Sequence, residues 1–311
     1  MIKRTIYFGN PAYLSLENKQ MVIKLPEVEK NETITNNFKA QSISKIPIED
    51  IGIVLLDNNY ITITQPLLAA LLDNNTAVIT CKDNHLPAGL LLPLECNTIQ
   101  QERYDYQIEA SQPLKKQLWQ QTVQTKISNQ ALLLEKNGYK ASNLKNWIKE
   151  VKSGDSDNLE ARAAAQYWSL IFSKKIDNFR RNREGEAPNN LLNYGYAILR
   201  ATVARSIVGV GLIPTLGIFH RNRYNAFCLA DDIMEPYRTY VDDIVLEILH
   251  SGIDISELTK DIKQKLLIIP ALDVKINGER SPLMIATQRT AFSLYSCFEG
   301  KSRRILYPEF I

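Results

Sequence analysis

The sequence is poor in cysteine and histidine, and builds no motif from the few it has. Cys81, Cys96, Cys228 and Cys297 are its four cysteines, with no CxxC pair and no Cys/His spacing suited to zinc. A zinc-finger module is thereby excluded, and the pattern reads as reduced, buried thiols. No run approaches the length of a transmembrane span, and the opening MIKRTIYFGN lacks the apolar core of a signal peptide. The expectation is a cytoplasmic protein with no membrane partner. The stretch from Gly209 to Gly217 contains Gly-Val-Gly, but no G-x-G-x-x-G or P-loop completes it, which argues against a nucleotide cofactor. Net charge is also scarce, at +3 over 311 residues, so any affinity for nucleic acid must come from local clusters of Lys and Arg. Repeats and low-complexity tracts are missing. What remains is an ordinary globular composition, 45% hydrophobic and 23% charged, sufficient for one large domain or two.

The patterning predicts an α+β chain in two parts: a small N-terminal β-rich domain over residues 1–98 and a larger all-α domain over residues 104–311. Short β-branched and aromatic runs place strands at Thr5–Phe8, Tyr13–Leu16, Met21–Leu25, Thr33–Thr35, Ile51–Leu56, Tyr60–Thr64 and Ala77–Thr80, with one short helix at Pro66–Leu72. His85 lies in a polar turn and reads as solvated. From about Gln100 the composition turns to Gln, Lys, Leu and Ala with helical periodicity, through Tyr106–Lys136, Ser142–Val151 and a helix from Asp157 to Arg181. Further helices are expected at Asn189–Val210, Ser256–Leu267 and Pro282–Glu299, and Asn277-Gly278 signals a hairpin.

The densest chemistry lies between Gly217 and Arg238, GIFHRNRYNAFCLADDIMEPYR. His220 precedes a cationic loop, and a helical segment follows in which Asp231, Asp232 and Glu235 interrupt an apolar pattern. Glu235 has a carboxylate neighbour three or four residues back, a repulsion that a cation would relieve. Asn225 is positioned as an N-cap, and the helix reads on to His250. An imidazole with one or two carboxylates suits Mn²⁺ or Mg²⁺. The residues alone leave a second reading open, in which His220 is structural and Glu235 pairs with Arg238. Glu160 is likewise ambiguous, since Asp157 and Glu160 have the spacing of a helix-capping pair. Lys174, Lys175, Arg180, Arg181 and Arg183 form a basic cluster at the end of that helix and, with Arg221 and Arg223, supply charge for phosphate contacts, although basic residues at a helix end also serve its dipole.

Leu159-Glu160-Ala161, Asn193-Tyr194-Gly195-Tyr196, Gly217-Ile218-Phe219-His220 and Leu229-Ala230-Asp231-Asp232-Ile233-Met234-Glu235-Pro236-Tyr237-Arg238, in that order, resemble the CRISPR-associated protein one family of spacer-acquisition integrases. The likeness extends over nearly the whole chain. It implies that Glu160, His220 and Glu235 bind one Mg²⁺ or Mn²⁺ and that Asp232 is a further catalytic carboxylate. It gives Asp231 no role. Glu rather than Asp at position 235 resembles the branch that accompanies RNA-guided single-protein effectors, the type II branch. The resemblance implies endonuclease and integrase chemistry on double-stranded DNA, in which 3'-hydroxyl ends of prespacer fragments are joined to the CRISPR repeat. It also implies a homodimer formed through residues 1–98, a heterohexamer with the small adaptation subunit, and association with the RNA-guided effector nuclease. Two alternatives use the same residues differently: a metal-dependent nuclease on branched or single-stranded DNA in repair, and a catalytically silent DNA-binding scaffold.

Overall fold

Two compact units, Met1–Cys96 and Asn97–Ile311, make up the chain. A computed structural model of the protein describes residues 3–311.

In the first unit, Arg4–Phe8, Ile51–Leu56 and Ala77–Cys81 lie parallel and Pro87–Leu91 closes the sheet antiparallel. Ile51–Leu56 is buried along almost its whole length, as a central parallel strand must be, which explains its unbroken apolar run. A second sheet orders Ser44–Pro47, Gln20–Lys24, Ala12–Glu17 and Ile61–Ile63. Phe8, Leu14, Met21, Val54, Leu67 and Val78 share one core with the helix Gln65–Asp73. The strand expected at Thr33–Thr35 does not form. The Thr35 hydroxyl instead accepts from the Phe38 amide and caps a short helix, Asn36–Gln41, so local side-chain capping prevails over β propensity. His85 is half exposed, but its Nδ1 lies 2.8 Å from Oδ1 of buried Asp57.

The second unit is mostly helical, built on the helix Gln112–Lys136. This helix packs against Ser142–Glu150, Leu159–Ile171, the 3₁₀ turn Glu235–Tyr237 and Arg238–His250. The long helix expected over Tyr106–Lys136 is two helices, because Ser111 caps a new start with Pro113 in its first turn, after Gln100–Glu109. A buried helix, Asn189–Gly209, packs against Leu283–Phe298, Cys228–Met234 and Arg238–His250. The Asn277-Gly278 hairpin joins strands Asp273–Ile276 and Glu279–Pro282, and Pro308–Glu309 adds a third strand. Among the described residues no helix is long and apolar enough to cross a membrane.

The helix carrying Glu160 is capped differently from expectation. Asn158 adopts a left-handed conformation (φ 52°), and this brings Asp155, not Asp157, under the helix start. The Asp155 carboxylate accepts from the amides of Leu159 (2.9 Å) and Glu160 (3.0 Å), while Asp157 pairs with exposed Lys152. Asp155→Ala is expected to cost about 1–2 kcal/mol in urea denaturation, as lost caps do. Asp157→Ala, at an exposed ion pair, should leave the denaturation midpoint essentially unchanged. The helix itself ends at Ile171, so the basic residues from Lys174 to Arg183 lie on irregular chain rather than at a helix terminus.

Candidate functional site

The buried face of Gln112–Lys136 presents Trp119, Thr122, Val123, Asn129, Gln130 and Leu133 toward the rest of the unit. Lys126 falls in that stripe. Its ammonium lies 2.6 Å from Glu160 Oε1 and 2.7 Å from Glu235 Oε2, with only 12% of the side chain exposed. Two acids from separate helical elements therefore converge on one cation. Burial works against the Lys126 charge, but Glu235 and Glu160 more than offset it and raise its pKa.

Glu235 lies where the helical pattern breaks. The helix read through to His250 is Cys228–Met234, then a 3₁₀ turn over Glu235–Tyr237, then Arg238–His250, because Pro236 cannot continue the preceding hydrogen-bond ladder. Asn129 Nδ2 donates to the Pro236 carbonyl at 2.8 Å and ties the turn to the helix Gln112–Lys136. Arg238 Nε reaches Glu235 Oε1 at 2.9 Å. Burial alone would raise the Glu235 pKa, but Arg238 and Lys126 overcome it and hold the carboxyl at about 2. Arg238 also lies over the Tyr196 ring at 4.6 Å, and Tyr196 and Tyr167 donate to fully buried Asp242. The Glu235–Arg238 pair seen in the sequence is thus present, together with a second, long-range cation.

His220 is oriented by Asp232. Their Nδ1 and Oδ1 atoms are 2.5 Å apart, and the Phe219 and His220 amides donate to the same carboxylate. Gly217 makes this approach possible, since a Cβ there would lie 2.5 Å from the His220 carbonyl oxygen and 2.8 Å from Asp232 Oδ2. Phe219 stacks on Trp119 at 4.3 Å with planes 2° apart, and His220 meets Trp119 edge-on. The hydrogen bond to Asp232 raises the His220 pKa, partial burial opposes it, and Glu160 and Glu235 add to the rise. Burial raises Asp232 in turn, more than its hydrogen bonds lower it. Asp232 takes up Nδ1 and leaves Nε2 for a further partner, as in carboxylate–histidine–metal arrangements.

Asp231 belongs to a different set of contacts, held by Arg200 (2.6 Å) and Asn225 (2.7 Å). Asn225 is not the N-cap. Its Oδ1 accepts from Phe227 in a turn one step before the helix. Arg181 is committed internally to Asn189 and Asn193, and Lys174 to the Asn137 carbonyl. Lys175 and Arg183 are exposed. Arg221 is exposed with one bond to Gln112, and Arg223 packs over the Tyr224 ring. Arg221, Arg223 and His220 line a cavity of about 520 Å³ together with Lys115, a residue the sequence did not single out. Burial and the neighbouring Arg221 charge lower the Lys115 pKa.

Among the described residues no three His, Cys, Asp or Glu side chains are grouped closely enough to hold a metal as they stand. Lys126 lies between the two glutamates and takes up their charge. The donor chemistry nevertheless fits a hard divalent cation. Glu235 Oε2 is buried and, despite its charged contact with Lys126, lacks the geometry of a hydrogen bond. Glu160 supplies a second carboxylate and His220 a preoriented imidazole. Lys126 and Asn129 escaped sequence reading. The one available signal was a lysine and an asparagine at helical spacing from the apolar residues Trp119, Val123 and Leu133.

Residues 7–267 match the family described as CRISPR associated protein Cas1. A Neisseria meningitidis protein named CRISPR-associated endonuclease Cas1 is 35% identical over 314 residues, covering 100% of this chain and 97% of that one. Among solved structures, a Cas1 protein from Thermotoga maritima has a TM-score of 0.74 at 17% identity, covering 96% of this chain and 97% of that chain. A casposase bound to integration product has a TM-score of 0.73 at 19% identity, covering 98% and 92%. A Cas6-RT-Cas1–Cas2 complex has a TM-score of 0.73 at 20% identity, covering 97% of this chain and 35% of that chain. At these identities the structural likenesses speak for the fold, and the sequence matches carry the assignment: this chain belongs to the Cas1 family of CRISPR-associated proteins.

Proposed function

We propose that the protein is a divalent-metal-dependent DNA integrase and endonuclease of CRISPR adaptation, joining 3'-hydroxyl ends of DNA fragments to the repeat by transesterification. The observation that carries this reading is the convergence of Glu160 and Glu235 on one cation beside a histidine oriented by Asp232. Family membership and the naming of the Neisseria relative as an endonuclease support it, as does a fold shared with a casposase bound to integration product.

Glu160, His220 and Glu235 would hold Mg²⁺ or Mn²⁺, which supplies Lewis-acid stabilisation of charge developing on a phosphate. Asp232 keeps the His220 ring turned with Nε2 available, and Arg238 pins the Glu235 carboxylate. Lys115, Arg221 and Arg223 bind backbone phosphates around the cavity beside His220, with Lys175 and Arg183 as outer contacts. In the exchange, the attacking 3'-oxygen bonds to phosphorus and the 3'-oxygen of the repeat strand leaves. One phosphodiester replaces another, so no external energy source is needed. The first unit serves as the homodimer interface, and the fold shared with a Cas1–Cas2 complex supports a small adaptation subunit as partner.

The test supplies a short duplex with free 3'-hydroxyls, a supercoiled repeat plasmid, the adaptation subunit and Mn²⁺ or Mg²⁺. Joined products that disappear with a chelator are expected. Cleavage without joining would favour a repair nuclease, and salt-sensitive binding with no bond chemistry would favour a silent scaffold.

A further inference from the structure

We propose that Lys126 is an internal stand-in for the divalent cation. Its ammonium bridges Glu160 and Glu235 in the metal-free protein and is displaced when metal binds, so it sets both the affinity of the site and the stability of its metal-free form. The inference rests on the metal reading above.

The argument begins with electrostatics. Glu160 and Glu235 stand on separate elements that both pack on the helix Gln112–Lys136, and two facing carboxylates without a cation repel one another. Lys126 satisfies both at 2.6 and 2.7 Å while 12% exposed. Lys136 and Lys145 each meet one acid, at sites about half exposed. An ammonium and a metal cannot share the space between the same two oxygens, since Mg²⁺ binds oxygen at about 2.0–2.1 Å. A lysine is suited to yielding, because its point charge sits on a flexible four-carbon stem and can swing away without backbone movement. Arg238, held over the Tyr196 ring, stays on the other Glu235 oxygen and keeps the acid in place.

The test is Mn²⁺ binding to DNA-free protein, followed by titration calorimetry, for wild type and Lys126→Met, which keeps the stem and removes the charge. The variant is expected to bind Mn²⁺ at least tenfold more tightly. Its chelator-treated form should melt several degrees lower, and Mn²⁺ should raise its Tm more than that of wild type. If the variant binds no more tightly than wild type, the stand-in role is overturned while the metal site stands; if neither binds, both readings fall. A wild-type measurement covers the case of a variant that does not fold. Acylation of Lys126 by an amine-reactive reagent, followed by mass spectrometry, should rise at least threefold when Mn²⁺ replaces chelator, with exposed Lys152 unchanged. A lysine that is only structural would stay in place and show no rise, and that result overturns the proposal.

Discussion

Glu235→Gln is expected to lower strand joining at least about 100-fold, in keeping with the loss of one main electrostatic contributor to a phosphoryl-transfer site. The amide is nearly isosteric, so the cause is charge. Glu235 is 6% exposed and neutralises Lys126 and Arg238 together, and its loss leaves two partly buried cations with one remaining carboxylate, Glu160, on the Lys126 side. Stability should report the same event. A carboxyl depressed from 4.5 to about 2 in the folded state corresponds to about 3 kcal/mol. Because the folded pKa is depressed, that contribution is present above pH 4.5 and is lost as pH falls through about 2. The deficit of the variant in urea denaturation should therefore be full at neutral pH and shrink below pH 4.5. Joining within threefold of wild type would make Glu235 a structural ion-pair residue and end its assignment as a ligand.

Trp119→Ala is expected to destabilise the protein by about 3–5 kcal/mol, the usual cost of truncating a fully buried large aromatic, and to lower Tm by roughly 10 °C. Trp119 has no exposed surface. Its Nε1 makes no hydrogen bond, so the loss is one of packing alone. The effect should extend to the chemistry, because the indole is the surface on which Phe219 stacks and against which His220 stands edge-on. At a temperature where the variant remains folded by circular dichroism, joining should still fall at least about tenfold, since small displacements of positioned groups are costly. A cost below 1 kcal/mol with unchanged joining would mean that Asp232 alone holds the histidine.

These residues differ in how far the sequence announces them. His220 and Glu235 stand out because polar groups crowd a short segment that otherwise reads as apolar, and Asp232 lies within the same segment. Glu160 is only half readable: its spacing from Asp157 suggests a cap, and nothing local shows that a left-handed Asn158 hands that task to Asp155. Lys126 is announced only by its spacing from the buried residues of its helix. A lysine on a long helix normally points to water, and its role arises from acids that approach through tertiary packing, Glu160 being 34 residues away. The strands with unbroken β-branched runs were readable for the opposite reason, since burial on both faces of Ile51–Leu56 demands such residues whatever lies around them. Where a short polar stretch could cap a helix or extend as a strand, as at Thr33–Thr35, propensity alone chose wrongly.

Asn129 gives the site a mechanical property. One amide donates to the carbonyl of Pro236 and to that of Pro308, and its oxygen accepts from Phe310. The turn that carries Glu235 and the strand Pro308–Glu309 are thus tethered to the same side chain. Strain applied to that strand would reach the turn through this amide and through Tyr240, just beyond the turn, whose hydroxyl donates to the Glu309 carbonyl. The strand Pro308–Glu309 is therefore a mechanical handle on the turn that carries Glu235.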